Sequence, residues 1–146
     1  MNASSDNAAT ARGQTASPLR VLIADDNRDT VMTLGILLRS EGFDVRLAQG
    51  GSGVPDAVHE FQPHAVLLDI VMPDRNGLEV ARELRQRYGK RCPVLIAITG
   101  QNTDEARLGA THSGFKYFVA KPYNPDALLK LVASLHTVDG QWRCAD

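Results

Sequence analysis

The sequence predicts an α/β domain: a five-stranded, doubly wound parallel sheet in the order 2-1-3-4-5, with helices on both faces. Three observations carry this. Strand-like and helix-like segments alternate five times between residues 19 and 137. Two apolar runs, 65–68 and 94–98, are too short for helices and read as strands buried on both faces, the pattern of parallel sheets. Four of the five strands end in polar groups, which places those groups along the carboxyl edge where open α/β sheets bind ligands. Parallel neighbours need crossover connections, and the intervening helices supply them.

Residues 1–18 are mostly Ala, Ser, Asn and Thr and offer almost nothing to bury, so they read as a disordered tail. Residues 19–24 form the first strand, which runs into Asp25, Asp26 and Asn27; an acid or Asn there also suits a helix cap. The first helix covers about 28–40, with Val31, Leu34 and Leu38 on one stripe and Gly42 ending it. In 43–48, Phe43, Val45 and Leu47 alternate with Asp44 and Arg46, which suits a half-wet edge strand. Gly50, Gly51 and Gly53 follow. They lack the Lys-Ser/Thr of a phosphate-binding loop and read as a turn, before a short helix over 54–61.

The central strand, 65–68, ends on Asp69, and Pro73 and Gly77 then turn the chain. A third helix over about 78–88 puts Leu78, Ala81 and Leu84 on one face. The fourth strand, 94–98, ends in Thr99-Gly100. The fourth helix, about 103–110, has a weak apolar face and is a candidate mobile element. The fifth strand, 115–120, ends in Lys121-Pro122. Asn124-Pro125 then starts a helix strongly, with Leu128, Leu131, Val132 and Leu135 at i, i+3, i+4 and i+7. The domain therefore spans 19–137, and 138–146 reads as a short C-terminal tail.

Sixteen basic against seventeen acidic side chains give a net charge of −1, so no basic excess argues for direct nucleic-acid binding or for an anionic membrane. Cys92 and Cys144 lack CxxC spacing, and His59, His64, His112 and His136 are scattered, which disfavours a disulfide scaffold or a zinc site. No run is long enough to span a bilayer, and the N-terminus has no signal-peptide core. The expectation is a cytoplasmic protein.

The strand ends define the chemistry. In the order 2-1-3-4-5 the first and third strands are neighbours, roughly 5 Å apart. Asp25, Asp26 and Asp69 therefore converge, with Thr99 and Lys121 on the same edge. Three close carboxylates repel one another unless a cation joins them, and one Lys does not balance three acids. A hard divalent cation with oxygen ligands, Mg²⁺ above all, does. A carboxylate beside such an ion, an amine and a hydroxyl can act as nucleophile on a phosphoryl group.

These features, Asp25-Asp26, the run Leu68-Asp69-Ile70-Val71-Met72-Pro73 with Gly77, Thr99-Gly100 and Lys121-Pro122, resemble a two-component response-regulator receiver domain. The resemblance covers residues 19 to about 137, and each motif falls at a strand end in the right order. The stretch from Gly114 to Asp126 is also similar to receivers of hybrid sensor kinases. The resemblance implies that Asp69 is the phospho-acceptor. It implies that Asp26 binds Mg²⁺ directly, Asp25 partly through water, and the Val71 backbone carbonyl as a third protein ligand. Thr99 and Lys121 would bind the phosphoryl group. Phe118 would be the switch aromatic, with Tyr117 beside it as a competitor. The implied partners are a sensor histidine kinase or phosphotransfer domain, and a downstream protein on the face of the fourth helix, fifth strand and fifth helix. Val71 and Gln101 flank the path of an attacking water; Val71 cannot hydrogen-bond one, whereas the Gln101 amide can, and hydrolysis of the phosphoryl-aspartate slower than in fast-turnover receivers is expected.

Only nine residues follow Thr137, too few for a DNA-binding module, which leaves a stand-alone receiver or part of a longer chain. Three rival readings fit the sequence less well. A haloacid-dehalogenase-type phosphatase needs a second Asp at position 71, where Val stands. A flavodoxin-like FMN binder needs a Ser/Thr-Gly phosphate loop where Asp25-Asp26-Asn27 would repel phosphate. A receiver-like interaction module that is no longer phosphorylated is opposed by the intact set of site residues.

Overall fold

Five strands make one parallel sheet because each after the first is reached through a helix that crosses back over it. The computed structural model describes residues 18–138 and 141–144, so all but one residue of the expected N-terminal tail lies outside the described residues. The elements in chain order are β1 (Arg20–Ala24), α1 (Arg28–Ser40), β2 (Asp44–Ala48), α2 (Val54–Phe61), β3 (Ala65–Asp69), α3 (Gly77–Tyr88), β4 (Val94–Thr99), α4 (Asp104–Ser113), β5 (Tyr117–Ala120), α5 (Pro125–Ala133), β6 (Leu135–Val138) and β7 (Gln141–Cys144). The sheet order is β2-β1-β3-β4-β5, the order 2-1-3-4-5 expected from sequence. Register places Leu22 opposite Val66 and Leu68 opposite Ala97, so β1, β3 and β4 end level with one another.

Alternate residues of the central strands face opposite layers. Leu22, Ala24, Val66, Leu68, Leu95 and Ala97 pack with Val54 and Val58 of α2, Val80, Ala81 and Leu84 of α3, and Ala110 of α4. Val21, Ile23, Leu67, Ile96 and Ile98 pack with Val31, Leu34 and Leu38 of α1 and with Leu128 and Val132 of α5. All six residues of β4 are buried, which is why its sequence shows no polar alternation. The edge strand β2 instead alternates exposed Asp44 and buried Val45.

Helix ends follow local chemistry. Asn27, Asn76, Thr103 and Asn124 cap α1, α3, α4 and α5 by accepting backbone N–H bonds with their side chains. Among the residues of α4 only Ala110 and Ser113 are buried, and Leu108 stands exposed, in keeping with the weak face read from sequence.

Three local expectations change. The fifth strand starts at Tyr117, two residues later than the pattern suggested, because the Phe115 N–H is taken by the Ala110 carbonyl at the end of α4. The α5 stripe stops at Ala133: the Ser134 hydroxyl donates to the Leu131 carbonyl, and Leu135, still buried, opens β6. Beyond Val138, where sequence offered only a tail, Gln141–Cys144 pairs antiparallel with Leu135–Val138 as a separate two-stranded sheet. Among the described residues no helix is long and apolar enough to cross a membrane.

Candidate functional site

The carboxyl ends of β1, β3, β4 and β5 bring together the polar residues that sequence separates by up to 96 positions. Asp69 is the last residue of β3 and Asp25 follows β1; they are only 5% and 4% exposed. Asp26 is exposed. One carboxylate oxygen from each of Asp25, Asp26 and Asp69 lies within 4.8 Å of the others. Bonds of about 2.1 Å to a six-coordinate ion put neighbouring oxygens about 3 Å apart and opposite ones about 4.2 Å apart. The cluster therefore fits a small hard cation with slight side-chain adjustment.

Lys121, after β5, donates from Nζ to Asp25 Oδ2 at 2.9 Å and to Asp69 Oδ2 at 3.0 Å. The other carboxylate oxygens are held by backbone: Asp69 Oδ1 accepts from the Val71 N–H at 3.0 Å, and Asp25 Oδ1 from the Asn27 N–H at 2.9 Å. Burial pushes the Asp69 carboxyl above its usual range, against the opposing pull of the Lys121 and Val71 hydrogen bonds. Burial also works against the Lys121 charge, but the Asp25 and Asp69 carboxylates outweigh it and hold the ammonium above its ordinary value. The pocket is thus a buried carboxylate pair with one cation, and it is short of positive charge.

Thr99, fully buried, ends β4 and accepts from the Gln101 N–H at 3.1 Å through Oγ1. Its hydroxyl caps a turn here, and the cap of α4 is Thr103 instead. The Lys121 N–H donates to the Thr99 carbonyl at 2.8 Å, which ties the two strand ends. Val71 is exposed, and its N–H already serves Asp69. The two candidate aromatics face opposite layers by the parity of the strand. Phe118 packs on the layer of α2, α3 and α4, whereas Tyr117 faces the layer of α1 and α5. The Arg107 guanidinium of α4 sits over the Phe118 ring at 4.7 Å from its centroid.

Sequence reasoning did not find Asp74. Its Oδ1 accepts from the Gly51 N–H at 3.1 Å, and its Oδ2 accepts from the Ser52 N–H at 3.0 Å and the Ser52 hydroxyl at 2.6 Å. An acid between Pro73 and Gly77 looks like an ordinary turn residue, and the only sequence hint was the glycine cluster it meets.

A doubly wound sheet with a carboxylate cluster, a bridging Lys and a buried Thr at its carboxyl edge defines a signalling switch domain of the receiver type. The family model of the response regulator receiver domain matches residues 21–133, and the chain belongs to that family. It is similar to the DNA-binding response regulator MtrA of Mycolicibacterium smegmatis, with 37% identity over 113 residues that cover 77% of this chain and 48% of that protein. The chain thus spans about half the length of the curated relatives it matches. Among solved structures it is similar to a CheY-like receiver domain protein from Methanospirillum hungatei, with a TM-score of 0.75 and 25% identity over 80% of this chain and 92% of that one. The receiver domain of Saccharomyces cerevisiae Ssk1, crystallised with the histidine phosphotransfer protein Ypd1, shares the fold with a TM-score of 0.75, 24% identity, and coverage of 83% and 90%.

Proposed function

We propose that this receiver domain is switched by phosphorylation of Asp69. The observation that carries the reading is the buried Asp25–Lys121–Asp69 bridge beside exposed Asp26, a nucleophile already set in a charged pocket. In the transfer, a carboxylate oxygen of Asp69 forms a bond to phosphorus as the phosphorus–nitrogen bond of a donor phosphohistidine breaks. The imidazole nitrogen leaves with the electron pair. Lys121 stabilises charge on the transferring oxygens. Asp25, Asp26, Asp69 and the Val71 carbonyl would hold Mg²⁺, which supplies the positive charge the pocket lacks.

Thr99 Oγ1 accepts from Gln101, so its own O–H is the donor for a phosphoryl oxygen. Drawing Thr99 inward opens space for Phe118 and biases the face formed by α4, β5 and α5 between two states. The donor is a sensor histidine kinase or a phosphotransfer domain; the complex of the similar Ssk1 receiver with Ypd1 supports this class of partner. The downstream partner is a protein that reads that face. The relatives named DNA-binding extend well beyond the length this chain covers.

Intact-protein mass after incubation with acetyl phosphate tests the reading, with and without Mg²⁺, on wild type and Asp69→Ala. One phosphoryl adduct that needs both Mg²⁺ and Asp69 is expected. An adduct that persists in Asp69→Ala would refute the assignment.

A further inference from the structure

The glycine cluster after β2 and the acid in the acceptor loop explain one another. Gly51 and Ser52 open a single helical turn, Gly51–Gly53, whose first two N–H groups point at the Asp74 carboxylate. The Ser52 hydroxyl adds a third, shorter bond. A Cβ on Gly50 would lie 2.5 Å from Asp74 Oδ2, and one on Gly51 would lie 2.9 Å from the Arg75 carbonyl oxygen and 3.1 Å from Met72 Cε. Gly50 has φ 172°, extended backbone that any residue adopts, so what excludes a side chain there is the acid itself. The hydrogen bonds, Ser52's foremost, hold the Asp74 carboxyl down at about 2, so it stays charged and bonded at any physiological pH.

The clip closes a loop that is otherwise held at its ends. The Asp69 carboxylate takes the Val71 N–H, and the Gly77 N–H bonds the Ile70 carbonyl at 2.8 Å. A Cβ on Gly77 would lie 2.5 Å from the Asp69 carbonyl oxygen, so the far end of the loop presses directly on the acceptor's backbone. Between those points Val71 and Pro73 are exposed; buried Met72, the Asp74 clip and the Arg75–Glu83 ion pair at 2.6 Å tie the span to its surroundings, and of these the Asp74 clip alone reaches the loop after β2 by hydrogen bonds.

We propose that Asp74 is a positioning residue, which by binding the Gly51 and Ser52 N–H groups fixes the acceptor loop so that the Val71 carbonyl and the Asp69 carboxylate face one cation together. This rests on the proposed function and names a residue for it. Asp74 is not among the residues that would hold the ion or the phosphoryl group. Its effect passes through the backbone of residues 71–74, and it sets how much of the ion's binding geometry exists beforehand.

The test is a Mg²⁺ titration of the unphosphorylated protein, followed by the amide shifts of residues 69–72, with thermal unfolding run alongside. Asp74→Ala removes the clip, and Gly50→Ala displaces the carboxylate while leaving it in the sequence. Partners that orient metal ligands are worth about 10–100-fold in affinity, and one acting through an exposed loop should sit below that, so each variant should raise the half-saturating Mg²⁺ concentration by about three- to tenfold. The double variant should be no worse than Asp74→Ala alone, because both changes remove the same contact. Asp74→Asn, which keeps one acceptor oxygen, should recover part of the loss. Ser52→Ala, which removes only the hydroxyl, gives a milder shift in the same direction and serves if the others fold poorly.

Folded variants with unchanged half-saturation, even with a lowered melting temperature, would overturn the proposal and leave the phosphorylation reading standing. A wild type that binds no Mg²⁺ would overturn both.

Discussion

Replacing Lys121 by Met keeps the length of the side chain and removes its charge. It leaves Asp25 and Asp69 buried with no cation, since their bonds to Lys121 are the only ion pairs either makes among the described residues. Two carboxylate oxygens no more than 4.8 Å apart repel by at least about 3.5 kcal/mol at an effective dielectric of about 20. Proton uptake by one acid relieves part of this, and Lys121 is itself 28% exposed, so a net loss of about 1–3 kcal/mol is expected. For a domain of this size that lowers the melting temperature by roughly 4–12 °C at neutral pH. The sign with pH follows from the folded-state shifts. The Asp69 carboxyl is raised above its ordinary 3.8, so its contribution to stability is present in acid and lost as pH rises from 3.8 through the folded value. Without Lys121 that rise extends further, and the variant should approach wild type in mild acid. Mg²⁺ should restore the variant more than it stabilises wild type, because a cation replaces the missing charge. The assay is thermal unfolding by circular dichroism across pH, with and without Mg²⁺. A variant as stable as wild type at pH 7 in chelator would refute the reasoning that the pocket is held together by this one charge.

Other consequences are as direct. Gly77→Ala forces a Cβ against the Asp69 carbonyl and Ile70 Cα, and should cost about 1–3 kcal/mol in chemical denaturation while impairing acetyl phosphate labelling; a fully active, fully stable variant would contradict the close approach. The His64 Nδ1 accepts from the Arg20 N–H at 2.9 Å, and burial, with Arg20 nearby, lowers its pKa from 6.5 to about 4. Its stabilising contribution is therefore present above 6.5 and lost as pH falls toward 4, so His64→Gln should flatten the stability profile in that window. Exposed, apolar Val71 cannot orient a water, so phosphoryl-Asp69 should survive for minutes or longer in Mg²⁺. A lifetime of seconds by mass spectrometry would remove that argument.

Much of the fold was legible because its rules are local or periodic. The buried runs of β3 and β4, the stripe of α1 and the Asn124-Pro125 start of α5 each announce themselves within a few residues. The site was legible for a related reason: a parallel sheet sends every strand's carboxyl end to one edge, so an acid, hydroxyl or amine just after a strand is already placed. Element ends were less so. Leu135 keeps the α5 spacing yet begins β6, because period alone does not say where a carbonyl is taken by Ser134 and the helix stops.

By itself the sequence determined the layer architecture and which polar residues end the strands; with the common doubly wound order 2-1-3-4-5, which the sheet adopts, that placed them together at the carboxyl edge. Tertiary structure alone decided three further things. It showed which oxygens of Asp25 and Asp69 Lys121 bridges, and that Phe118 and not Tyr117 faces α4 beneath Arg107. It also showed that Asp74 reaches back 22 residues to Ser52 and 23 to Gly51. The reason is physical. Periodicity fixes which face a residue takes, but contacts between loops depend on how closely two backbones approach, and a glycine's missing Cβ carries that information only once the neighbour that needs the space is in place.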